Sequence, residues 1–273
     1  MIPTTYLFVP GNRPERFGKA AASGADRVIL DLEDAVAPAD KAMAREAIAS
    51  WLVAQDASVR AKVVVRINDA LSPWYTEDLQ WLRGNDVSEA MLSKCESAAQ
   101  IALVHDHLKS GGHVLPLIET VRGVLALHEI ATAAHVSRLA FGAIDYMLDL
   151  DVPGPGFALD TAATAIAMAS RAADLPLPVA GVTPELDVDS VKADVTQARA
   201  LGFGAKLCIH PTQVSAVREA LMPTVDAQAW ALRTVTAWHS SNGSGAVQVD
   251  GKMVDKPVVL RAQRILDAAG LKH

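Results

Sequence analysis

The chain has 273 residues, 51% of them apolar and 5% aromatic, with a formal net charge of −6. That is ample for one large hydrophobic core, and no basic cluster offers the footprint of a nucleic-acid binder. Two cysteines, no charged-then-apolar leader and no apolar run near bilayer length predict a reduced, cytoplasmic protein without a disulfide framework or membrane span.

The predicted elements alternate. Thr5–Val9 reads as a strand closed by Pro10-Gly11, then a helix runs from Arg13 to Ser23 and stops at Gly24. Arg27–Leu32 is a second strand with the acids Asp31, Glu33 and Asp34 at its end. A helix over Asp40–Ala54 sets Met43, Ala47, Ile48, Trp51 and Leu52 on one face. Lys62–Asn68 is the third strand, followed by a helix over Pro73–Leu82, and Ala90–Lys94 is a short fourth strand before a helix over Ser97–Lys109. His113–Ile118 and Arg138–Ile144 make strands five and six, separated by a helix over Val121–Ala134. After a Pro/Gly-rich loop and the helix Leu159–Ala173, strands seven (Pro178–Val182) and eight (Ala205–His210) flank a helix over Val188–Leu201.

Eight strand–helix units predict an α/β fold of the TIM type, a (β/α)8 barrel over residues 1–223. The competing arrangement, an open doubly wound sheet, lacks a G-x-G-x-x-G at its first βα turn. Residues 224–273 form a C-terminal extension: a helix over Asp226–Trp238, a Gly/Ser connector at Ser240–Gly245, a strand-like stretch at Ala246–Gly251, and a last helix to Ala269. A hinge followed by an ordered segment predicts a lid or an arm that packs on a neighbouring subunit.

The strand exits carry Pro10-Gly11, Glu33/Asp34, Arg66, Lys94, Glu119, Asp145 and His210, and a barrel brings such exits to one face. Apolar runs that end in Glu119 and Asp145 offer two hard oxygen ligands without His or Cys, which suits Mg²⁺, with Mn²⁺ as the alternative. The same two acids could equally cap the helices that follow. Arg66, inside Val-Val-Val-Arg-Ile-Asn, suits bidentate capture of a substrate carboxylate or an ion pair with Glu33 or Asp34. The acidic trio Asp31, Glu33 and Asp34 could form an outer network that holds Arg66 and metal-bound water. Arg13, Arg16 and Lys19 beside a helix N-terminus could take a phosphate or be a solvated face. Lys94 and His210 receive no role.

Seven stretches in order, among them Leu7–Glu15, Asp31–Val36, Val65–Asn68, Pro116–Thr120, Phe141–Asp145, Gly204–Gln213 and Gly251–Pro257, together resemble the citrate lyase β-subunit-like proteins of the aldolase/citrate lyase family, which includes malyl-CoA and citramalyl-CoA lyases. The resemblance implies a homotrimeric TIM barrel, or a dimer of trimers, that uses Mg²⁺ to cleave or form a bond between an acyl-CoA and a 2-oxo acid such as oxaloacetate, glyoxylate or pyruvate. It implies that Glu119 and Asp145 bind the metal and, with Arg66, the oxo acid. Asp255, supplied to a neighbouring subunit, would be the acid/base residue, and Arg13 and Lys19 would lie near the CoA. Leu92-Ser93-Lys94 and Ala180-Gly181 depart from the family's usual Leu-Pro-Lys and Asp-Gly. Two other readings stand beside this one: a metal-dependent 2-oxo-acid aldolase that does not use CoA, and a non-catalytic complex subunit.

Overall fold

The computed structural model describes residues 2–241 and 247–272. The chain divides into two compact units, Met1–Arg218 and Glu219–His273. The first runs β1 (Thr5–Pro10), α1 (Pro14–Ala21), β2 (Arg27–Asp31), α2 (Lys41–Val53), α3 (Ala57–Arg60), β3 (Val63–Ile67), α4 (Tyr75–Gly84), β4 (Glu89–Leu92), α5 (Ala98–His105) and β5 (His113–Ile118). It continues through α6 (Val121–Leu125), α7 (Leu127–Thr132), β6 (Ala140–Phe141), α8 (Ala143–Asp149), α9 (Phe157–Ala172), β7 (Val179–Ala180), α10 (Val188–Ala200), β8 (Ala205–Cys208) and α11 (Pro211–Leu221), the last of which carries the chain into the second unit.

All eight strands of the first unit pair in parallel in sequence order, and β8 returns to β1 through Thr5↔Lys206, Tyr6↔Leu207 and Leu7↔Cys208. The sheet is therefore a closed (β/α)8 barrel, which excludes the open doubly wound alternative. One buried cluster takes Tyr6, Ile29, Val64, Met91, Leu115, Ala140, Val179 and Ala205 from the eight strands in turn, so these side chains fill the barrel interior.

Strand alternation then determines what stands above that core. Successive side chains point to opposite faces, so the residue two positions beyond an inward one is also inward. Counting on from Ile29, Val64 and Leu117 gives Asp31, Arg66 and Glu119, all buried. Three charged side chains thus form the layer above the apolar core, at the C-terminal ends of the strands.

Two local expectations need correction. Arg138–Ile144 is not one strand: β6 is only Ala140–Phe141, and helix α8 begins at Ala143. An apolar run cannot by itself distinguish a buried strand from a buried first helical turn. The second concerns α2, where Met43 is exposed, while Lys41 and Arg45 share the buried face with Ala44, Ile48 and Leu52.

The second unit holds α12 (Val225–Ser240), the antiparallel pair β9 (Val247–Val249) and β10 (Lys252–Val254), and α13 (Lys256–Ala268). Its own core gathers Ala231, Val235, Val249, Val254, Val259, Ala262 and Leu266. Of the connector expected at Ser240–Gly245, residues 242–245 lie outside the described residues, as does Ala246. Among the described residues no helix is long and apolar enough to cross a membrane.

Leu115 is fully buried at the centre of the barrel cluster. Leu115→Ala should lower the unfolding free energy by about 2–5 kcal/mol, read as a lower denaturant midpoint with an unchanged slope.

Candidate active site

Asp31 and Arg66 are register partners at the ends of β2 and β3. Their side chains meet as a fork: Arg66 Nε donates to Asp31 Oδ1 and Nη2 to Oδ2, both at 2.6 Å. Nη1 lies 2.8 Å from Glu33 Oε2 and 3.7 Å from Asp34 Oδ2, and the guanidinium stacks over the Phe8 ring with 4.8 Å to its centroid. Burial opposes the charge on Arg66, but Asp31 and Glu33 outweigh it and hold the group above its ordinary range. Arg66 is therefore first an ion-paired residue, and its bidentate partner is Asp31. A guanidinium has five N–H donors, and these bonds leave one on each terminal nitrogen.

The network spreads outward. Burial works against an ionised Glu33, yet Arg66, Asp34 and Lys94 together hold it below the usual carboxylate range. Asp34 moves the other way: partial burial and the neighbouring Glu33 raise it to about 6. Lys94 Nζ donates to Glu33 Oε1 at 2.9 Å. Lys41, buried on α2, donates to Leu32 O, Glu33 O and Asn68 Oδ1 at 2.7–2.8 Å and so fastens the β2 exit to the β3 exit. Asn68 in turn donates to the buried Asp78, which Arg45 also meets at 2.8 Å. Asp31 holds Arg66 as the acidic trio led us to expect, whereas Lys41, Asn68 and Asp78 are the parts of this network to which sequence reasoning gave no role. The available signal was a lysine and an arginine spaced four apart on a helix whose next turns are apolar.

Glu119 is 2% exposed just past β5. It does not cap the following helix, because Thr120 Oγ1 accepts from Gly123 N at 3.0 Å and fills that role. Its Oε1 accepts instead from the backbone N–H of Lys94 at 2.8 Å. Gly142 is required beside it, since a Cβ there would overlap Glu119 Oε2. Asp145 lies three residues further on, half-buried in the first turn of α8. Burial, then Glu33 and Asp145, push Glu119 up to about 8. Two adjacent carboxylates, one deeply buried and destabilised as an anion, constitute a site that a cation would relieve.

Among the described residues no group of three or more His, Cys, Asp or Glu is arranged to hold a metal. The pair supplies two carboxylates only, a set that fits Mg²⁺, which keeps most of its positions for water and substrate oxygens. Around the pair, Asp31, Glu33 and Asp34 add further carboxylates, and Arg66 and Lys94 are the cations that meet them. Beside it a cleft of about 500 Å³ is lined by Glu33, Asp34, Asn68, Trp74 and Lys94. A larger cleft of about 710 Å³ lies at the opposite end of the strands, near Arg27, Glu89 and His113, away from the carboxylate pair.

The remaining candidates fall elsewhere. Arg13 and Lys19 are exposed on and before α1, where Arg13 pairs only loosely with Glu15 at 4.0 Å. His210 follows β8, is exposed, and its Nδ1 lies 2.8 Å from Thr212 Oγ1 at the start of α11. Asp255 belongs to the second unit, where it is exposed and caps α13 by accepting from Val258 N.

A closed barrel with carboxylates and a paired arginine at the strand C-termini defines an α/β barrel with a charged site at its C-terminal face, and the comparisons with known proteins make the class specific. The sequence model of the HpcH/HpaI aldolase/citrate lyase family matches residues 4–211. The chain belongs to this family of carbon–carbon lyases, as its motifs led us to expect. It is 37% identical to a citrate lyase subunit beta-like protein of Mycobacterium tuberculosis, over 97% of this chain and 95% of that one. It is 31% identical to an L-malyl-CoA/beta-methylmalyl-CoA lyase of Cereibacter sphaeroides, over 96% and 93%. Among solved structures, CitE from Mycobacterium tuberculosis in complex with magnesium, acetoacetate and coenzyme A superposes with a TM-score of 0.87 at 36% identity, covering 98% of both chains.

Because Glu119 is raised from the ordinary 4.5 to about 8, the metal-free fold is favoured by this group below pH 4.5 and loses that contribution as pH rises towards 8. A bound cation removes the loss. The rise in melting temperature on adding Mg²⁺ should therefore grow from pH 5 to pH 8, and Glu119→Gln should flatten it; a rise independent of pH in the unaltered protein would contradict the assignment.

Proposed function

We propose that the protein is a Mg²⁺-dependent lyase that cleaves, or forms, a 3-hydroxyacyl-CoA of the citryl-, malyl- or citramalyl-CoA type, giving an acyl-CoA and a 2-oxo acid. The observation that carries this reading is the Glu119–Asp145 pair at the C-terminal face of the barrel, in which Glu119 is buried, raised in proton affinity and set beside Arg66. The Mycobacterium tuberculosis relatives crystallised with magnesium, acetoacetate and coenzyme A, and with oxaloacetate and magnesium, support it.

Glu119 and Asp145 would hold the cation, which when bound polarises the substrate oxygen at the carbon where the bond changes. Arg66, fixed by Asp31 and Glu33, offers its two remaining N–H groups to the substrate carboxylate, and that orientation is its contribution. In the cleavage direction a base takes the hydroxyl proton, the carbon–carbon bond breaks, and the acyl-CoA enolate takes up a proton at its α-carbon. Asp255, delivered by a neighbouring subunit of a homotrimer, is the group we assign to that proton exchange. Arg13 and Lys19, exposed at α1, are the cations we assign to the CoA phosphates.

The test is a cleavage screen with malyl-, citramalyl- and citryl-CoA, with Mg²⁺ and with EDTA, that follows release of acetyl-CoA. Cleavage of at least one thioester, abolished by EDTA, is the expected result. No cleavage of any, together with pyruvate or oxaloacetate binding, would replace this reading with a CoA-independent aldolase. Asp255→Asn should reduce kcat by about 10²–10⁴ with Mg²⁺ and pyruvate affinities unchanged, and an unaltered kcat would remove Asp255 from the mechanism.

A further inference from the structure

Lys94 stands between the two halves of the charged layer, and its conformation is unusual. With φ at +46° it occupies the left-handed region that favours glycine. This backbone aims its N–H at Glu119 Oε1, 2.8 Å away, while its Nζ donates to Glu33 Oε1 at 2.9 Å. One residue thus donates to two carboxylates that belong to different sets. Glu33 has its other oxygen on Arg66 at 2.8 Å. Glu119 has its other oxygen turned towards Gly142 at the start of α8, where no donor among the described residues reaches it.

Of the four oxygens, three are taken by protein donors and only Glu119 Oε2 is left, on the side of Asp145. A glycine at position 94 would adopt the same backbone with less strain and give the same N–H. It would not hold Glu33. The ammonium is the part of Lys94 that the turn does not explain, and it also borders the 500 Å³ cleft.

We propose that Lys94 is a positioning residue that keeps the cation pair and the arginine pair apart: its N–H fixes Glu119 with one oxygen free for a divalent cation, and its ammonium ties Glu33 to Arg66 so that Glu33 does not become a third ligand. This rests on the assignment of Glu119 and Asp145 as the cation pair. Without the ammonium, Glu33 gains a free oxygen and the cluster gains a negative charge. Cation affinity then rises, and affinity for the anionic oxo acid falls. A purely structural lysine would weaken both together as the fold loosened.

The experiment uses the full-length protein and two probes, Mn²⁺ followed by electron paramagnetic resonance and pyruvate followed by calorimetry in the presence of Mn²⁺. Lys94→Met should bind Mn²⁺ about tenfold more tightly and pyruvate about tenfold more weakly. Lys94→Gly should show the same opposed shifts with a melting temperature no lower than that of the unaltered protein, which separates the charge from the backbone. Lys94→Arg should restore both affinities. Opposed shifts in Met and Gly with recovery in Arg support the proposal; affinities that stay within twofold, or that fall in parallel, overturn it. Glu119→Gln is the control for the underlying assignment. If the unaltered protein loses Mn²⁺ binding in Glu119→Gln while the Lys94 variants are silent, only the role of Lys94 fails. If Glu119→Gln binds Mn²⁺ as the unaltered protein does, the cation pair itself fails.

Discussion

The fork between Arg66 and Asp31 is the contact on which the rest of this site depends. Both side chains are inward, above an apolar barrel core, where an unpaired charge would be expensive. Two bonds of 2.6 Å match the planar guanidinium to the carboxylate, a match that an ammonium could not make. Loss of Arg66 would leave Asp31 a buried carboxylate without its ion-pair partner, a defect worth about 3–5 kcal/mol. With the fork in place, the guanidinium is oriented, and its remaining edge can recruit Glu33 on one side and address a ligand on the other.

Everything further out is arranged by charge balance around that fork. Glu33 is held ionised by Arg66 and Lys94, while Asp34 beside it is driven towards its protonated form. Lys41 spends its three donors on the exits of β2 and β3, so the strand ends that carry Glu33 and Asn68 cannot drift apart. The remaining imbalance falls on Glu119 and Asp145. Glu119 has one backbone N–H and no cationic hydrogen-bond partner, in a place where burial and two other acids disfavour its charge. A divalent cation bound between the two carboxylates would relieve that imbalance.

Much of this was legible in the chain before any coordinates. The parallel barrel follows from eight apolar runs at regular spacing, and the polar residues at their exits marked the functional face. Strand alternation could even have indicated which of those residues point inward. What the sequence concealed has physical reasons. Asp145 read as the end of a sixth strand because Ala-Phe-Gly-Ala-Ile is apolar throughout, yet the strand ends at Phe141 and the carboxylate rides on a helical turn. The buried positions of Lys41 and Arg45 were invisible because helical periodicity counts apolar residues, and these two are buried by pairing. Arg66 offered the trio Asp31, Glu33 and Asp34 and a substrate as partners; the β2–β3 register singles out Asp31 as the bidentate match.

Anomalous scattering from crystals soaked in Mn²⁺ would locate a divalent cation seated between Glu119 and Asp145. A single strong peak is expected within bonding distance, about 2.0–2.3 Å, of one oxygen from each of these two carboxylates, absent in Glu119→Gln. A peak seated instead among Asp31, Glu33 and Asp34, or none at saturating Mn²⁺, would contradict that assignment.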